Sequence, residues 1–155
     1  MQRIVTFLSY QDQAEEAANF YVSIFKNSKI IAVMPAPKNV PVPDGKPLLV
    51  IFELDGQRFM AMNGGSDFNL TNAISLMVNC DTQEEIDHCW SRLSEGGKEV
   101  ACGWLTDKFG VSWQIDPSNI GELLTQSPAA AERVMAQVMK MVKLDKAALE
   151  RAAEG

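Results

Sequence analysis

Two stretches, RIVTFLSY at residues 3–10 and AISLMVNC at residues 73–80, open the same local plan in each half of the chain. Both are rich in β-branched and aromatic or long apolar residues, as strands are. Each leads into a helix-start signal, an aspartate followed three residues later by a glutamate: Asp12-Gln-Ala-Glu15 and Asp81-Thr-Gln-Glu84. The two signals are 69 positions apart, and an apolar-periodic helix follows each. The chain therefore contains an internal repeat.

Three further strand candidates follow each helix. In the first half they cover residues 29–34, 47–54 and 58–63, with Asp55-Gly56 as a hairpin turn. In the second half they cover residues 98–101, 103–106 and 111–116, with Phe109-Gly110 closing the last hairpin. This pattern predicts an α+β fold in a single domain, with two tandem βαβββ modules at residues 1–65 and 71–118 and a helical tail at 119–155. We expect the two four-stranded sheets to form one cupped mixed sheet around a shared concavity.

Alternation along the strands assigns side chains to faces. In the second module it separates Ser75, Met77 and Gln114 from the apolar set that would face a helix. A face that mixes hydroxyl, amide and thioether groups suits either a semi-polar cavity lining or a plain solvated sheet face, and alternation alone does not choose between them. The 69-residue offset lays Thr6 and Leu8 onto the same face as Ser75 and Met77.

The composition of the 155-residue chain excludes several classes of function. Its net charge is −6, from 20 acidic and 14 basic residues, and it has no basic cluster that could displace counterions from phosphate. We therefore expect it to bind neither nucleic acid nor an anionic membrane surface. No apolar run approaches the roughly 20 residues that span a bilayer, and no secretory signal is evident, so we expect a cytoplasmic protein.

The cysteine and histidine content limits the chemistry. Cys80, Cys89 and Cys102 are an odd number without a CxxC pair, which argues against a disulfide scaffold and a structural zinc site. His88, the single histidine, lies in a predicted helix and reads as a solvated side chain. A metal site with two or three imidazoles is therefore impossible within one chain.

Two segments have open interpretations. The proline-rich stretch Pro35–Pro47 is predicted to be an extended loop, either a lid over a pocket or a passive surface loop. A tail helix begins at Ser127-Pro128 and carries an apolar stripe at Val134–Val142, which would pack on the protein's own body or on a second subunit. Residues 144–155 are expected to form a weak, charged helix that frays.

Several motifs resemble one known family across essentially the whole chain. They are AEEAANFY at residues 14–21, FELDGQRFMAMNGG at 52–65, ISLMVNC at 74–80, CGW at 102–104 and DKFGVSWQIDP at 107–117. With the βαβββ repeat, they are similar to the PhnB-like branch, also called demethylubiquinone methyltransferase-like, of the vicinal oxygen chelate superfamily. That superfamily includes glyoxalase I, extradiol dioxygenases and bleomycin-resistance proteins. The resemblance implies a homodimer with a cup for a small molecule.

The superfamily's metal enzymes use four strand positions filled by His and Glu. The resemblance places these positions at Thr6, Met60, Ala73 and Gln114, none of which offers an imidazole, carboxylate or thiolate donor. We therefore predict no metal. The methyltransferase label implies S-adenosylmethionine, but the glycine pairs Gly64-Gly65 and Gly96-Gly97 are not in a strand-Gly-x-Gly-helix setting, so we also predict no cofactor.

Two functions remain in view. The first is a metal-free protein that binds or sequesters an unknown small molecule. The predicted cavity residues are Thr6, Leu8, Met60, Met62, Ser75, Met77, Trp104 and Gln114. The second is an enzyme that acts on a small molecule in the same cavity, as a methyltransferase, as a metal-dependent lyase or dioxygenase, or through Cys102, Glu53 or Asp107.

Overall fold

The first repeat forms a four-stranded sheet with one helix in a computed structural model that describes residues 2–65 and 68–155. Its elements in chain order are β1 (Thr6–Tyr10), α1 (Ala14–Ile24), β2 (Lys29–Pro35), β3 (Pro47–Leu54) and β4 (Gln57–Asn63). The strand order is β1-β4-β3-β2, in which β1 runs parallel to β4 and the other neighbours are antiparallel. This sheet and its helix lie in the first of two compact units, residues 1–69 and 70–155.

Small residues bring α1 close to its sheet. Ala17 and Ala18 are fully buried, so the helix backbone lies near the strands without intervening bulk. Tyr21 of α1 stacks on Phe52 with ring centroids 6.4 Å apart, and Phe52 stacks on Phe59 at 5.5 Å. The helix therefore covers the sheet face that carries Phe52 and Phe59.

The hairpin between β3 and β4 turns at Asp55-Gly56, as predicted. Both residues have positive φ, 47° and 76°. That is the conformation of a two-residue type I′ turn, which matches the twist of the flanking strands.

The second repeat has the same architecture. Its elements are β5 (Leu76–Cys80), α2 (Gln83–Ser94), β6 (Lys98–Glu99), β7 (Trp104–Thr106) and β8 (Ser112–Pro117). The strand order β5-β8-β7-β6 repeats the order of the first sheet, and β5 is again parallel to β8. The structure thus confirms two βαβββ modules of α+β class.

Both helices begin one residue later than the sequence signals indicate. The N-cap of α2 is Thr82, whose hydroxyl accepts from the backbone N–H of Glu85 at 3.2 Å, while the Glu85 carboxylate accepts from the N–H of Asp81 at 2.8 Å. A hydroxyl suits this capping role as well as a carboxylate does. The N-cap of α1 is Gln13 without a side-chain cap, and the N–H of Ala14 instead donates to Asn63 Oδ1 at 2.8 Å.

The tail forms three helices, α3 (Ile120–Thr125), α4 (Pro128–Val138) and α5 (Lys146–Glu154), and it lies in the second unit. The predicted start of α4 is correct, since the Ser127 hydroxyl accepts from the N–H of Ala130 and Pro128 opens the helix. The prediction that residues 144–155 fray is wrong. Asp145 caps α5, and Leu149 is fully buried in a cluster with Val134 and Leu144.

The tail is joined to the β7 end of the second module by backbone hydrogen bonds. The N–H groups of Cys102 and Gly103 donate to the carbonyls of Met141 and Val142 at 2.9 and 2.8 Å. Gly103 has φ +80°, and a Cβ there would lie 2.9 Å from Leu144 Cγ, so glycine is required. Among the described residues, no helix is long and apolar enough to cross a membrane.

Candidate functional site

Each sheet has one face covered by its helix and one face turned away from it. We call the latter the first and the second open face. On the second, the register pairs Met77 with Gln114 and Gln114 with Trp104 across three adjacent strands. Because directly paired residues share a face, this face also carries Asn79, Thr106, Ser112 and Asp116. The grouping of Met77, Trp104 and Gln114 therefore agrees with the alternation in the sequence.

Two hydrogen bonds link polar side chains at the second open face. Gln114 Nε2 donates to Ser75 Oγ at 2.7 Å, and Ser112 Oγ donates to Asn72 Oδ1 at 2.9 Å. The first bond brings Ser75, which precedes β5, onto the same face as Gln114. Met77 is 50% exposed between these polar groups. The face thus combines an accessible thioether with neutral hydrogen-bonding groups, which is the mixture that orients small apolar ligands.

Asp116 is the exception on this face. It is only 6% exposed, and its buried Oδ2 has no hydrogen-bond partner among the described residues. Burial raises the pKa of Asp116 to about 6, because desolvation disfavours the charged form. Strand alternation places Asp116 on the correct face, but nothing in the sequence indicates that its carboxylate is buried and unpaired.

The first open face is more apolar. The register groups Phe7 with Met60 and Ile51, and Ser9 with Met62 and Leu49. Phe7 is 49% exposed.

One end of the first open face carries a small ionic cluster. Glu53 lies 3.5 Å from Lys29 Nζ and 3.8 Å from Arg58 Nη2. These contacts engage Glu53 in ion pairs.

The predicted placement of Thr6 and Leu8 beside Met60 and Met62 is wrong. Thr6 pairs with Phe59 and Leu8 with Ala61, which puts both on the face that α1 covers. The connection from β1 to α1 contains three residues, 11–13, whereas that from β5 to α2 contains two, 81–82. The helices are therefore 69 positions apart but the strands 70, and a one-residue slip moves every side chain to the other face.

The metal positions inferred from the resemblance do not form a metal site. Thr6 and Met60 lie on opposite faces of the first sheet. Ala73 precedes β5, and the Gln114 amide is bonded to Ser75. Among the described residues, no three His, Cys, Asp or Glu side chains are close enough to hold a metal ion. The donor set of this chain does not fit the metal of the superfamily's enzymes.

The acidic and thiol groups considered for catalysis have structural partners. Asp107 accepts from the N–H groups of Phe109 and Val111 and from Trp113 Nε1, at 2.9 to 3.0 Å, so it organises the β7–β8 turn. Cys102 is half-buried against the tail cluster around Leu144.

The remaining histidine and cysteines lie away from the open faces. His88 is exposed on α2. The register places Cys80 on the helix-covered face, and its thiol bonds to that of Cys89 on α2. This contact and burial raise the pKa of Cys80, so its thiol stays protonated.

The proline-rich loop forms a groove within the first unit. The groove has a volume of about 530 Å³, and its walls include Glu15, Lys38, Asp44 and Lys46. Asn63 Nδ2 donates to the Pro47 carbonyl at 3.0 Å and so holds one end of the loop. Whether the loop acts as a lid stays a prediction.

The geometry can be compared with known proteins. Residues 2–116 match the model of the family described as 3-demethylubiquinone-9 3-methyltransferase. The structure of the PhnB protein from Bacillus cereus is similar, with 38% identity, a TM-score of 0.70, and coverage of 75% of this chain and 99% of that one. The chain belongs to this family. The match confirms the resemblance to the PhnB-like branch.

More distant structures share the fold of this PhnB-like chain. Protein PA1353 from Pseudomonas aeruginosa has 21% identity and a TM-score of 0.64, over 76% of this chain and 98% of that one. The fosfomycin resistance protein FosX from Listeria monocytogenes, a complex with Mn(II) and sulfate, has 18% identity and a TM-score of 0.53, over 81% and 96%. These likenesses confirm the predicted fold. No curated protein matches the chain.

The family description names a methyltransferase, which implies S-adenosylmethionine. Gly64-Gly65 follows β4, and the next described element is β5; Gly96-Gly97 lies between α2 and β6. Neither pair leads from a strand into a helix, and each sheet is mixed rather than wholly parallel. The PhnB-like chain therefore does not fit the usual glycine-rich cradle for that cofactor.

Proposed function

We propose that this PhnB-like chain is a metal-free protein that binds or sequesters a small molecule, with the second open face as its principal contact surface. The carrying observation is that Met77, Trp104, Ser75 and Gln114 lie together there, while no three His, Cys, Asp or Glu side chains of the described residues are close enough to hold a metal ion. Aromatic and thioether groups supply apolar contact, and the amide and hydroxyl orient the ligand. Met60 and Met62 offer a similar apolar surface on the first open face.

Among the described residues, no contact of the candidate catalytic residues specifically supports the alternative that the protein is an enzyme. Asp107 and Glu53 are engaged in the turn and the ion pairs described above, and Cys102 packs on the tail. A lyase or dioxygenase of the metal-dependent type would need donors that the inferred positions lack.

Native mass spectrometry of the protein as purified from cells tests the binding proposal. We expect an organic adduct on the wild-type chain that is lost in Met77→Glu and retained in Met139→Glu. The control replaces a methionine that is 71% exposed on the tail, so it introduces the same charge outside the strands that form the second open face. An adduct that survives Met77→Glu, or no adduct on any of the three proteins, would contradict the proposal.

We also propose that the chain forms a homodimer in the cytoplasm and has no nucleic-acid partner. Met135 in α4 and Met139 directly after it are 41% and 71% exposed, although Val134 and Val138 of α4 are buried within the tail cluster. Exposed methionines suit an adaptable contact between subunits. The acidic net charge of −6 supports the exclusion of nucleic acid, and three free thiols suit a reducing compartment.

A further inference from the structure

The second open face contains one feature that a purely neutral ligand would leave unexplained. Asp116 is only 6% exposed, and the buried Oδ2 of its carboxylate has no hydrogen-bond partner among the described residues. Buried polar groups are almost always paired, and leaving a carboxylate without donors is costly. A donor from outside the chain would remove this cost.

The neighbours of Asp116 show from which side such a donor would come. Its register partner on β5 is the exposed Asn79, about 5 Å away across the strands. Met77 lies two residues before Asn79 on the same face and is half exposed. Beyond Met77 in register come Gln114 and Trp104. A carboxylate, an amide and an apolar patch thus follow one another along the same face.

A titratable neighbour of Asp116, the Cys80 thiol, does not satisfy the carboxylate. The Cys80 thiol is close enough for the charge on Asp116 to raise its pKa, but Cys80 lies on the helix-covered face and bonds to Cys89. No Lys, Arg or His forms an ion pair with Asp116 in the part of the chain that the structure describes.

We infer that the second open face binds a protonated amine that carries an apolar group, with the ammonium at Asp116 and Asn79 and the apolar group over Met77 and Trp104. The inference rests on the proposed small-molecule function and names the ligand's chemical class. An ammonium supplies the donors and the charge that Asp116 lacks. An aromatic or alkyl body fits the thioether and the indole of the face.

The test compares two probes of the same skeleton, phenethylammonium and phenethyl alcohol, by titration calorimetry on the full chain near neutral pH. We expect the ammonium to bind the wild-type protein about tenfold more tightly than the alcohol, as a charge-assisted hydrogen bond implies. Asp116→Asn should abolish this preference. Asp12→Asn, an exposed aspartate in the first unit, is the charge-matched control and should keep the preference.

Each outcome decides the inference. Equal binding of the two probes to the wild-type protein would overturn the amine assignment and leave the small-molecule proposal standing. A preference that persists in Asp116→Asn would have the same two consequences. Binding of neither probe would also overturn the assignment, and the native mass spectra of Met77→Glu would still judge the broader proposal independently. The wild-type comparison remains decisive even if Asp116→Asn fails to fold.

Discussion

Two aspartates on either side of the last hairpin show how environment separates residues of one type. Asp107 accepts three hydrogen bonds and fixes the turn between β7 and β8. Asp116, at the other end of β8, is equally buried, but its Oδ2 has no hydrogen-bond partner among the described residues. Asp107 therefore stabilises the fold, whereas the unpaired Asp116 carboxylate destabilises it. We attribute the presence of this destabilising group to ligand binding.

The unpaired state of Asp116 predicts an unusual dependence of stability on pH. Its pKa rises from 3.8 to about 6 on folding, so the folded protein holds this proton more tightly than the unfolded chain does. The side chain therefore favours folding fully below the unfolded pKa, and this stability is lost as pH rises through about 6. For the usual hydrogen-bonded aspartate the sign is the opposite.

Asp116→Asn should remove this dependence. Between about pH 3 and pH 7, the free energy of unfolding of the variant should gain about 3 kcal/mol relative to wild type. Urea unfolding of both proteins across this pH range measures the difference. A difference that stays constant with pH would show that Asp116 is solvated in solution, and a difference of the opposite sign would show that it is paired.

For single residues, the sequence predicted the sheet face of a side chain better than it predicted the burial and hydrogen bonds of that side chain. Period-two alternation placed Met77, Gln114 and Asp116 together because it depends only on local backbone geometry. Burial of Asp116 and the three donors around Asp107 depend on packing between distant segments. No local pattern encodes them.

At the scale of elements, one residue in a connection changes the surface of a sheet. The extra residue between β1 and α1 gives the first open face Phe7 and Ser9 instead of Thr6 and Leu8. The offset of 69 residues was measured between the two helix-start signals. The corresponding strands of the two modules are 70 residues apart, one more than this offset. The elements themselves were predicted, but some boundaries were wrong by three or four residues: β1 and β5 begin three residues later than the stretches 3–10 and 73–80, and α4 ends at Val138 instead of reaching Val142.

The stability of helix α5 was underestimated because its composition is highly charged. Its packing can be tested by mutation. Leu149 is fully buried against Val134 and Leu144, so Leu149→Ala should lower the free energy of unfolding by about 2–5 kcal/mol through lost contacts and a cavity. Leu70→Ala removes the same atoms from a leucine that is 45% exposed, and its cost should be about 1 kcal/mol or less. Urea denaturation gives both values. Equal, small losses in the two variants would mean that α5 frays after all.

The positions of the glycine pairs predict the response to S-adenosylmethionine. Because neither Gly64-Gly65 nor Gly96-Gly97 connects a strand to a helix, we expect no binding at useful affinity. Titration calorimetry with the cofactor measures this. A dissociation constant below about 10 μM, roughly 7 kcal/mol of binding free energy, would contradict the expectation.

At the scale of the whole molecule, repetition made the fold predictable. The two sheets share one strand order, and each module's helix lies between its first two strands in sequence. A duplicated plan doubles the evidence for every element, which is why the weak strand β6 could be placed by comparison with β2. The ligand could not be predicted in this way, since a shared fold does not imply a shared chemistry.

The homodimer is a prediction about the assembled protein. Light scattering at micromolar concentration should give about twice the chain mass of 17.1 kDa. If the exposed methionines of the tail form the contact, Met135→Glu with Met139→Glu should yield a monomer. A dimer that persists in this double variant would place the interface elsewhere, and a monomeric wild-type protein would refute the dimer.

The proposed function requires a vicinal oxygen chelate fold that binds its ligand without a metal. Thr6, Met60, Ala73 and Gln114 cannot supply the imidazole and carboxylate donors that the superfamily's enzymes use. Elemental analysis of the protein purified from cells without chelators measures the bound metal per chain. We predict no stoichiometric transition metal; about one equivalent of zinc, nickel, manganese or iron per chain would contradict the proposed metal-free function.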